Sequence, residues 1–182
     1  SDQTETKISA DTITISPGGV LTASGNVLVK YGQITVKAEA LSFNQKINSI
    51  SVKEISEFYD GQEIRFSADK AELDVELSKG IIFAARILLD EAIKIRAEEV
   101  RLDNSGISSA KGISRITSCE ECEDKDPNWY LAASSAKRDF ENSNIIYRNV
   151  TVRVKGLPVA YLPFLRMPDP SVDRAQGFLI PE

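Results

Sequence analysis

The sequence predicts an all-β fold built from stacked two-strand repeats, and three observations predict it. The first is a recurring pattern. Residues 95–102 read I-R-A-E-E-V-R-L, 36–43 read V-K-A-E-A-L-S-F, 66–73 read F-S-A-D-K-A-E-L, and looser copies begin at Ile8 and Leu131. The alanines of these copies, Ala10, Ala38, Ala68, Ala97 and Ala133, recur at intervals of about 30 residues with one longer gap, the spacing of a stacked repeat architecture. The second is periodicity. Apolar residues alternate before each alanine, as in Ile34, Val36, Ala38 and in Ile93, Ile95, Ala97, then resume three residues later at Leu41 and Val100. An offset of three flips the parity of a strand, as one extra residue in a ladder does, and the small alanine suits the crowded inside of the resulting bend. The third is punctuation. Turn signals fall roughly every 14 residues, the mark of an all-β sandwich or solenoid with rather long strands. The competing reading of A-E-E-V-R-L is a helix, but alternation on both sides is cleaner than any 3.6-residue stripe.

Taken in order, residues 1–7 are polar and expected to fray. Residues 8–15 read as a first strand, closed by the turn Pro17-Gly18-Gly19. Strands are expected over 20–31, 33–43, 47–58 and 63–77, separated by Tyr31-Gly32, Asn44-Gln45-Lys46 and the hairpin signal Asp60-Gly61. Ser78-Lys79-Gly80 leads to 81–89, Asp90-Glu91 to 92–102, and Asn104-Ser105-Gly106 to 107–117. Connections this short imply antiparallel neighbours. Residues 118–128 break the rhythm with an acidic stretch, S-C-E-E-C-E-D-K-D-P-N. Strands resume over 129–140 and 145–154. Residues 157–170 contain four prolines and read as an extended apolar cover, neither central strand nor helix. The terminal G-F-L-I-P of 177–181 reads as the approach to a further domain.

Alternation assigns an interior-facing set: Val27, Val29, Ile34, Val36, Leu41, Phe43, Ile50, Val52, Ile64, Phe66, Leu73, Val75, Ile82, Ile93, Ile95, Val100, Leu102, Ile113 and Ile116. These are nearly all aliphatic, and aromatic residues make up 7% of the chain. Walls with few large rings fit a space that stays open; an ordinary filled Val/Ile core is the alternative.

Composition narrows the function. A length of 182 residues allows one sizeable core or two small ones, and 42% hydrophobic content excludes a disordered chain. A net charge of −5 argues against nucleic acid as the main partner. The charge is uneven, with seven basic against five acidic residues from Lys137 onward. No apolar run reaches the length of a membrane-spanning helix. The chain has no histidine, which removes the commonest general base and metal ligand.

Cys119-x-x-Cys122 is the one pair with a chemical look. A zinc site would need further ligands, and a redox pair would need surroundings that lower a thiol pKa, whereas Glu120, Glu121, Glu123 and Asp124 disfavour the thiolate. A structural disulfide, local or to a partner, and free thiols remain. The acidic cluster lacks the spacing and glycine of a calcium loop and reads as solvated. No nucleophile motif appears, and nothing marks out two carboxylates for hydrolysis. No catalytic residue, metal or cofactor is assigned. Trp129, Tyr161 and Phe164 suit a carbohydrate or membrane-facing platform, but packing of the Pro-rich cover explains them as well.

The last third of the chain also carries a resemblance. T-S-C at 117–119, the acidic stretch, W-x-x-x-A-x-x-x-x-x-D from Trp129 through Ala133 to Asp139, the run containing Pro158, Tyr161, Pro163 and Pro168, and G-F-L-I-P together resemble the LptD (OstA) family of lipopolysaccharide-assembly proteins. Gly25-Asn26-Val27 and the Ala-acid repeats look like the OstA-like periplasmic fold of that family. The resemblance implies a twisted, open, V-shaped β-jellyroll over residues 1–155, with 156–182 as a cover and linker toward the chain's own outer-membrane barrel and its plug lipoprotein LptE. It implies no enzyme. The interior set becomes a groove for the acyl chains of lipopolysaccharide in the periplasm. Ile8, Ala10, Thr12, Ile13, Thr14 and Ile15 become the edge to which a bridge protein, LptA or an equivalent, adds a strand. Cys119 matches a family cysteine that bonds to the barrel, while Cys122 departs from the commonest pattern and leaves a Cys119–Cys122 pairing as the other expectation. A structural β-domain with a filled core, or an LptA/LptC-like bridge protein, is the alternative; a glycosidase is a remote third.

Overall fold

Alternating strands joined by very short turns pair most simply as a meander, each strand bonded to the one before it. The computed structural model describes residues 5–62, 64–89, 93–104, 106–118 and 128–169, and over these it contains twelve strands and no helix. They are β1 (Thr6–Ser9), β2 (Thr12–Ile15), β3 (Val20–Tyr31), β4 (Ile34–Asn44), β5 (Ser49–Tyr59), β6 (Ile64–Asp74), β7 (Gly80–Leu89), β8 (Ile93–Asp103), β9 (Gly106–Ser118), β10 (Trp129–Asp139), β11 (Asn144–Val154) and β12 (Leu157–Pro168). All lie in one antiparallel sheet, in chain order from β3 to β12, with β1 and β2 both on the free side of β3.

The first expected strand, 8–15, is therefore two. The cause lies on β3, where Gly25 and Asn26 both have positive φ, 75° and 50°. The chain opposite must break to follow this bulge. The Asp11 N–H donates to Gly25 O at 2.8 Å, and Asn26 Nδ2 donates to Asp11 Oδ2 at 3.0 Å. A Cβ on Gly25 would stand 2.6 Å from Asp11 Oδ2, so position 25 accepts only glycine.

The same bend recurs on the odd-numbered strands, at Glu54 on β5, Ala84 on β7, Gly112 on β9 and Asn149 on β11, all with positive φ. The sequence pattern placed the extra residue on the alanine strands. The burial there does jump by three, from Ala38 to Leu41, Ala68 to Ala71 and Ala97 to Val100. The register, however, puts the inserted residue on the facing strand. Ser24 and Val27 of β3 oppose Ala40 and Ala38, and Ile55 and Phe58 of β5 oppose Ala68 and Phe66. The alanines stack in a row across the bend: Ala38 faces Ile55, which faces Ala68, and Ala85 faces Ala97, which faces Ile113 and then Ala133.

Strand 63–77 also ends early. Asp74 Oδ1 accepts from the N–H groups of Ser78 and Lys79, turning the chain after β6. Val75, expected inside, sits half-buried in that turn, and Leu77, at φ 57°, is the turn residue that plugs the core at 2% exposure. The Pro-rich run is not a cover. It is β12, paired along β11 from Leu157 opposite Val154 to Pro168 opposite Asn144. Proline is tolerated because this is an edge strand with a free side.

A single sheet has no second layer to cover its apolar face, yet Val29, Ala23, Ala71, Ile82 and Val100 are fully buried. The sheet must cover itself. Ile64 begins β6 at one rim and Gly106 begins β9 at the other, and in a flat sheet of 11-residue strands those rims stand ~35 Å apart. Here Ile64 Cδ1 comes within 3.5 Å of where a Gly106 Cβ would be. The bends fold the strands over and bring opposite rims together around one core.

Candidate functional site

The functional candidate is the interior of this folded sheet, and it is not uniform. Between β3 and β7 the predicted residues Val27, Val29, Val36, Leu41, Ile50, Val52, Phe66, Leu73 and Ile82 are nearly or wholly buried, with Ile64 at 8% exposure; Ile34 and Phe43, at strand ends, are partly buried against them. Phe58 and Phe66 stack with centroids 4.4 Å apart. This half is packed like an ordinary core.

From β8 onward the character changes. The buried apolar residues there are Ala97, Val100, Ala110, Ile113, Ala133 and Val150, mostly small. The larger ones, Ile95, Leu102, Ile107, Ile116, Leu131, Tyr147 and Leu165, pack against the core but remain partly exposed. Ile93, at the rim, is likewise half-exposed. A partly exposed apolar wall is thus continuous with the closed core. Of the expected set, Ile95, Leu102 and Ile116 belong to this wall, and Val100 and Ile113 are buried beside it. Sequence reasoning missed Ile107, Leu131, Tyr147 and Leu165, although alternation in β10 and β11 carried the signal for Leu131 and Tyr147.

Polar contacts brace this half. Arg138 on β10 passes β11 to bond Asp169, beyond β12, through Nε at 2.5 Å and Nη2 at 3.5 Å, and its Nη1 also donates to Ile107 O at 3.4 Å. Burial, with a smaller contribution from the Asp169 charge, raises the Tyr147 phenol above its usual pKa. Thr117 is buried, and its Oγ1 donates to Trp129 O at 3.0 Å, tying together the two ends of the acidic segment. Asp139 accepts from the side chain and backbone of Asn142, which hold its carboxyl below the usual range. Tyr161 donates to Asn149 Oδ1 at 2.8 Å, and Asn149 Nδ2 to Ser134 Oγ at 3.0 Å, bracing the bulge of β11. The motif residues Thr117, Asp139 and Tyr161 therefore brace strand ends, a turn and a bulge.

The two edges differ. Ile8 and Ala10 are partly buried against the core, whereas Thr12, Ile13, Thr14 and Ile15 are exposed, with Ile15 at 71%. At the opposite edge Leu157, Val159, Tyr161, Leu162, Phe164 and Met167 of β12 are all exposed. Cys119 and Cys122 lie outside the described residues.

No family model matches the chain. Curated relatives named LPS-assembly protein LptD do. The one from Vibrio cholerae serotype O1 is 29% identical over 178 residues, covering 96% of this chain and 22% of its own length. Those from Aliivibrio fischeri and Hahella chejuensis are each 25% identical, covering 99% and 94% of this chain. The chain spans about a fifth of the length of the curated relatives it matches. Among solved structures, LptH of Pseudomonas aeruginosa, described as the LptA-homologous periplasmic component of a lipopolysaccharide transport device, aligns at a TM-score of 0.49 and 11% identity over 68% of this chain and 90% of its own. The resemblance read from the C-terminal motifs is borne out: along nearly its whole length this chain is similar to part of LptD.

Proposed function

We propose that this relative of LPS-assembly protein LptD is a non-enzymatic lipid-transport domain, periplasmic and attached to an outer-membrane protein, that shields the acyl chains of lipopolysaccharide. The observation that carries the reading is the partly exposed apolar wall of β8–β11, continuous with the core and lined by Ile95, Leu102, Ile107, Ile116 and Leu131. Each methylene moved from water onto such a wall is worth about 0.8 kcal/mol. Chains carried this way need cover and no catalytic group. Lipid would arrive from a bridge protein, LptA or an equivalent, paired to the β1–β2 edge, and leave past β12 toward the barrel and LptE of the complete protein.

The test is a fluorescent fatty-acyl probe that purified lipopolysaccharide displaces, combined with photo-crosslinkers at Ile95, Leu102 and Ile116 against Lys37 and Arg96 on the outer face. Lipopolysaccharide should label the first set and not the second. Equal labelling, or no probe binding, overturns the reading. The closed β3–β7 core favours a second reading, a structural domain filled throughout, and crosslinking confined to no interior position would favour it.

A further inference from the structure

We propose that the outer face of β10–β12 is a docking surface for an anionic lipid bilayer. It stands apart from the carrier reading, which uses the inner face of the sheet.

Cations on the outside of the sheet fall into two groups. Five on β4–β8 hold a carboxylate at 4.0 Å or less: Lys37 and Arg65 share Glu57, Lys70 has Glu72, Arg86 has Asp69 and Arg101 has Glu99. On β10–β12, Lys137, Arg148 and Arg166 form no ion pair among the described residues. The register gathers these three. Lys137 lies opposite Ile146, and Ile146 opposite Arg166; in the next row Ser135 lies opposite Arg148, and Arg148 opposite Phe164. Directly paired residues share a face. The adjacent Ala136, Tyr147 and Leu165 pack against the core, so this set points outward. Arg166 acts weakly on Asp139, whose carboxyl is held chiefly by Asn142. The basic excess from Lys137 onward, seven to five, already counts Asp173 and Glu182 beyond the described residues. It is a positive end on a chain of net charge −5.

Aromatic rings sit among these cations. Arg148 and Arg166 both lie over the Phe164 ring, 5.9 and 5.8 Å from its centroid. Phe164 is still 45% exposed, and Tyr161, which reaches Asn149 on the same face, is 60% exposed. Among the described residues, strands β3 to β9 expose no large apolar side chain, whereas β12 exposes six. Arginine stems and aromatic rings suit the level of lipid headgroups, where phosphate and hydrocarbon meet. A protein strand is a poor occupant of this edge. Pro158, Pro163 and Pro168 have no N–H to offer a ladder, and prolines and cations on an edge discourage pairing. An acidic protein surface would satisfy the cations and leave the rings in water. The free backbone of β12 sets the depth: its unpaired groups keep their hydrogen bonds among headgroups and would lose them in hydrocarbon.

The experiment floats the full chain with lipopolysaccharide-free vesicles of phosphatidylethanolamine and phosphatidylglycerol, against vesicles of phosphatidylcholine alone. The chain should float with the first and not the second, and salt should weaken the binding. Arg148→Gln and Arg166→Gln should each weaken it about fivefold, and Lys53→Gln, exposed on β5, should not. Phe164→Ser should weaken it by the same factor at every salt concentration, since an inserted ring is not screened. Unchanged binding in both arginine variants, or equal binding to the neutral vesicles, overturns the surface. So does a dimer that forms without vesicles and is lost in Phe164→Ser, which would assign the face to a second copy. Ile116→Ala should float like wild type; loss of flotation there would mean that the interior wall binds the vesicle, and also overturns the surface. Failure of the acyl probe alone would reject the carrier reading, and failure of flotation alone would reject this one.

Discussion

Arg138 and Asp169 are joined across an intervening strand: the guanidinium of one sits on the carboxylate of the other at 2.5 Å, with the Asp169 side chain 5% exposed. The Asp169 N–H also donates to Ser143 O at 2.9 Å, so the chain beyond β12 is held at both backbone and side chain. Removing one partner leaves a buried charge uncompensated. Arg138→Ala should therefore lower stability by about 3 kcal/mol, and the double variant with Asp169→Ala should lose much less than the sum of the singles. Chemical denaturation of the four proteins measures this; additive losses would mean that the pair is not coupled.

The proposed strand addition at the β1–β2 edge would depend on which N–H groups face outward. Ser16 N–H donates inward to Val20 O, and Thr14 and Thr12 pair with Thr22 and Ser24 in the same register. Alternation then turns the N–H groups of Thr12 and Thr14 toward β3 and those of Ile13 and Ile15 toward the free side. Ile13→Pro and Ile15→Pro should leave the domain folded and reduce binding of the bridge protein. Thr14→Pro should instead loosen the edge itself. Unchanged partner affinity in both isoleucine variants would place the partner elsewhere.

Tyr147 should ionise above the ordinary phenol value of 10.0 in spectrophotometric titration, because burial disfavours its phenolate. A raised folded-state pKa stabilises the fold below the ordinary value of 10.0 and withdraws that contribution as pH rises through the folded value. Wild type should lose stability more steeply above pH 10.0 than Tyr147→Phe, and equal slopes would contradict the assignment.

The contrast between the buried β3–β7 core and the partly exposed β8–β11 wall predicts unequal truncation costs. Phe66→Ala, at a 2% exposed position stacked on Phe58, should cost about 3–5 kcal/mol. Ile116→Ala, on the partly exposed wall, should cost below about 2 kcal/mol yet weaken the acyl probe more. The reverse ranking in either measurement would invert the assignment of the two halves.

The two cysteines should be oxidised to each other in the isolated chain under periplasm-like conditions. The loop closed by such a bond is short, so reduction should barely move the melting temperature. Two thiols labelled under non-reducing conditions would exclude the pairing.

The sequence by itself determined the strands, the turn positions near Gly32, Gly61 and Gly80, and most of the inward face, because period two and turn chemistry are local properties of the chain. It also carried the alanine row, since a bend excludes bulk wherever it recurs. Only the tertiary structure decided which strand of each pair holds the extra residue, because a parity flip reads the same whether the insertion lies on β4 or on its neighbours. The splitting of 8–15 followed from Gly25 on another strand, and Leu77 entered the core through a positive-φ turn that no apolar period marks. The Pro-rich run became a strand because an edge needs donors on one side only. The gradation from buried to partly exposed interior and the Arg138–Asp169 bond depend on register summed over many hairpins, each bulge shifting it by one residue. Local pattern sets what each strand can bury; the accumulated register sets what it meets.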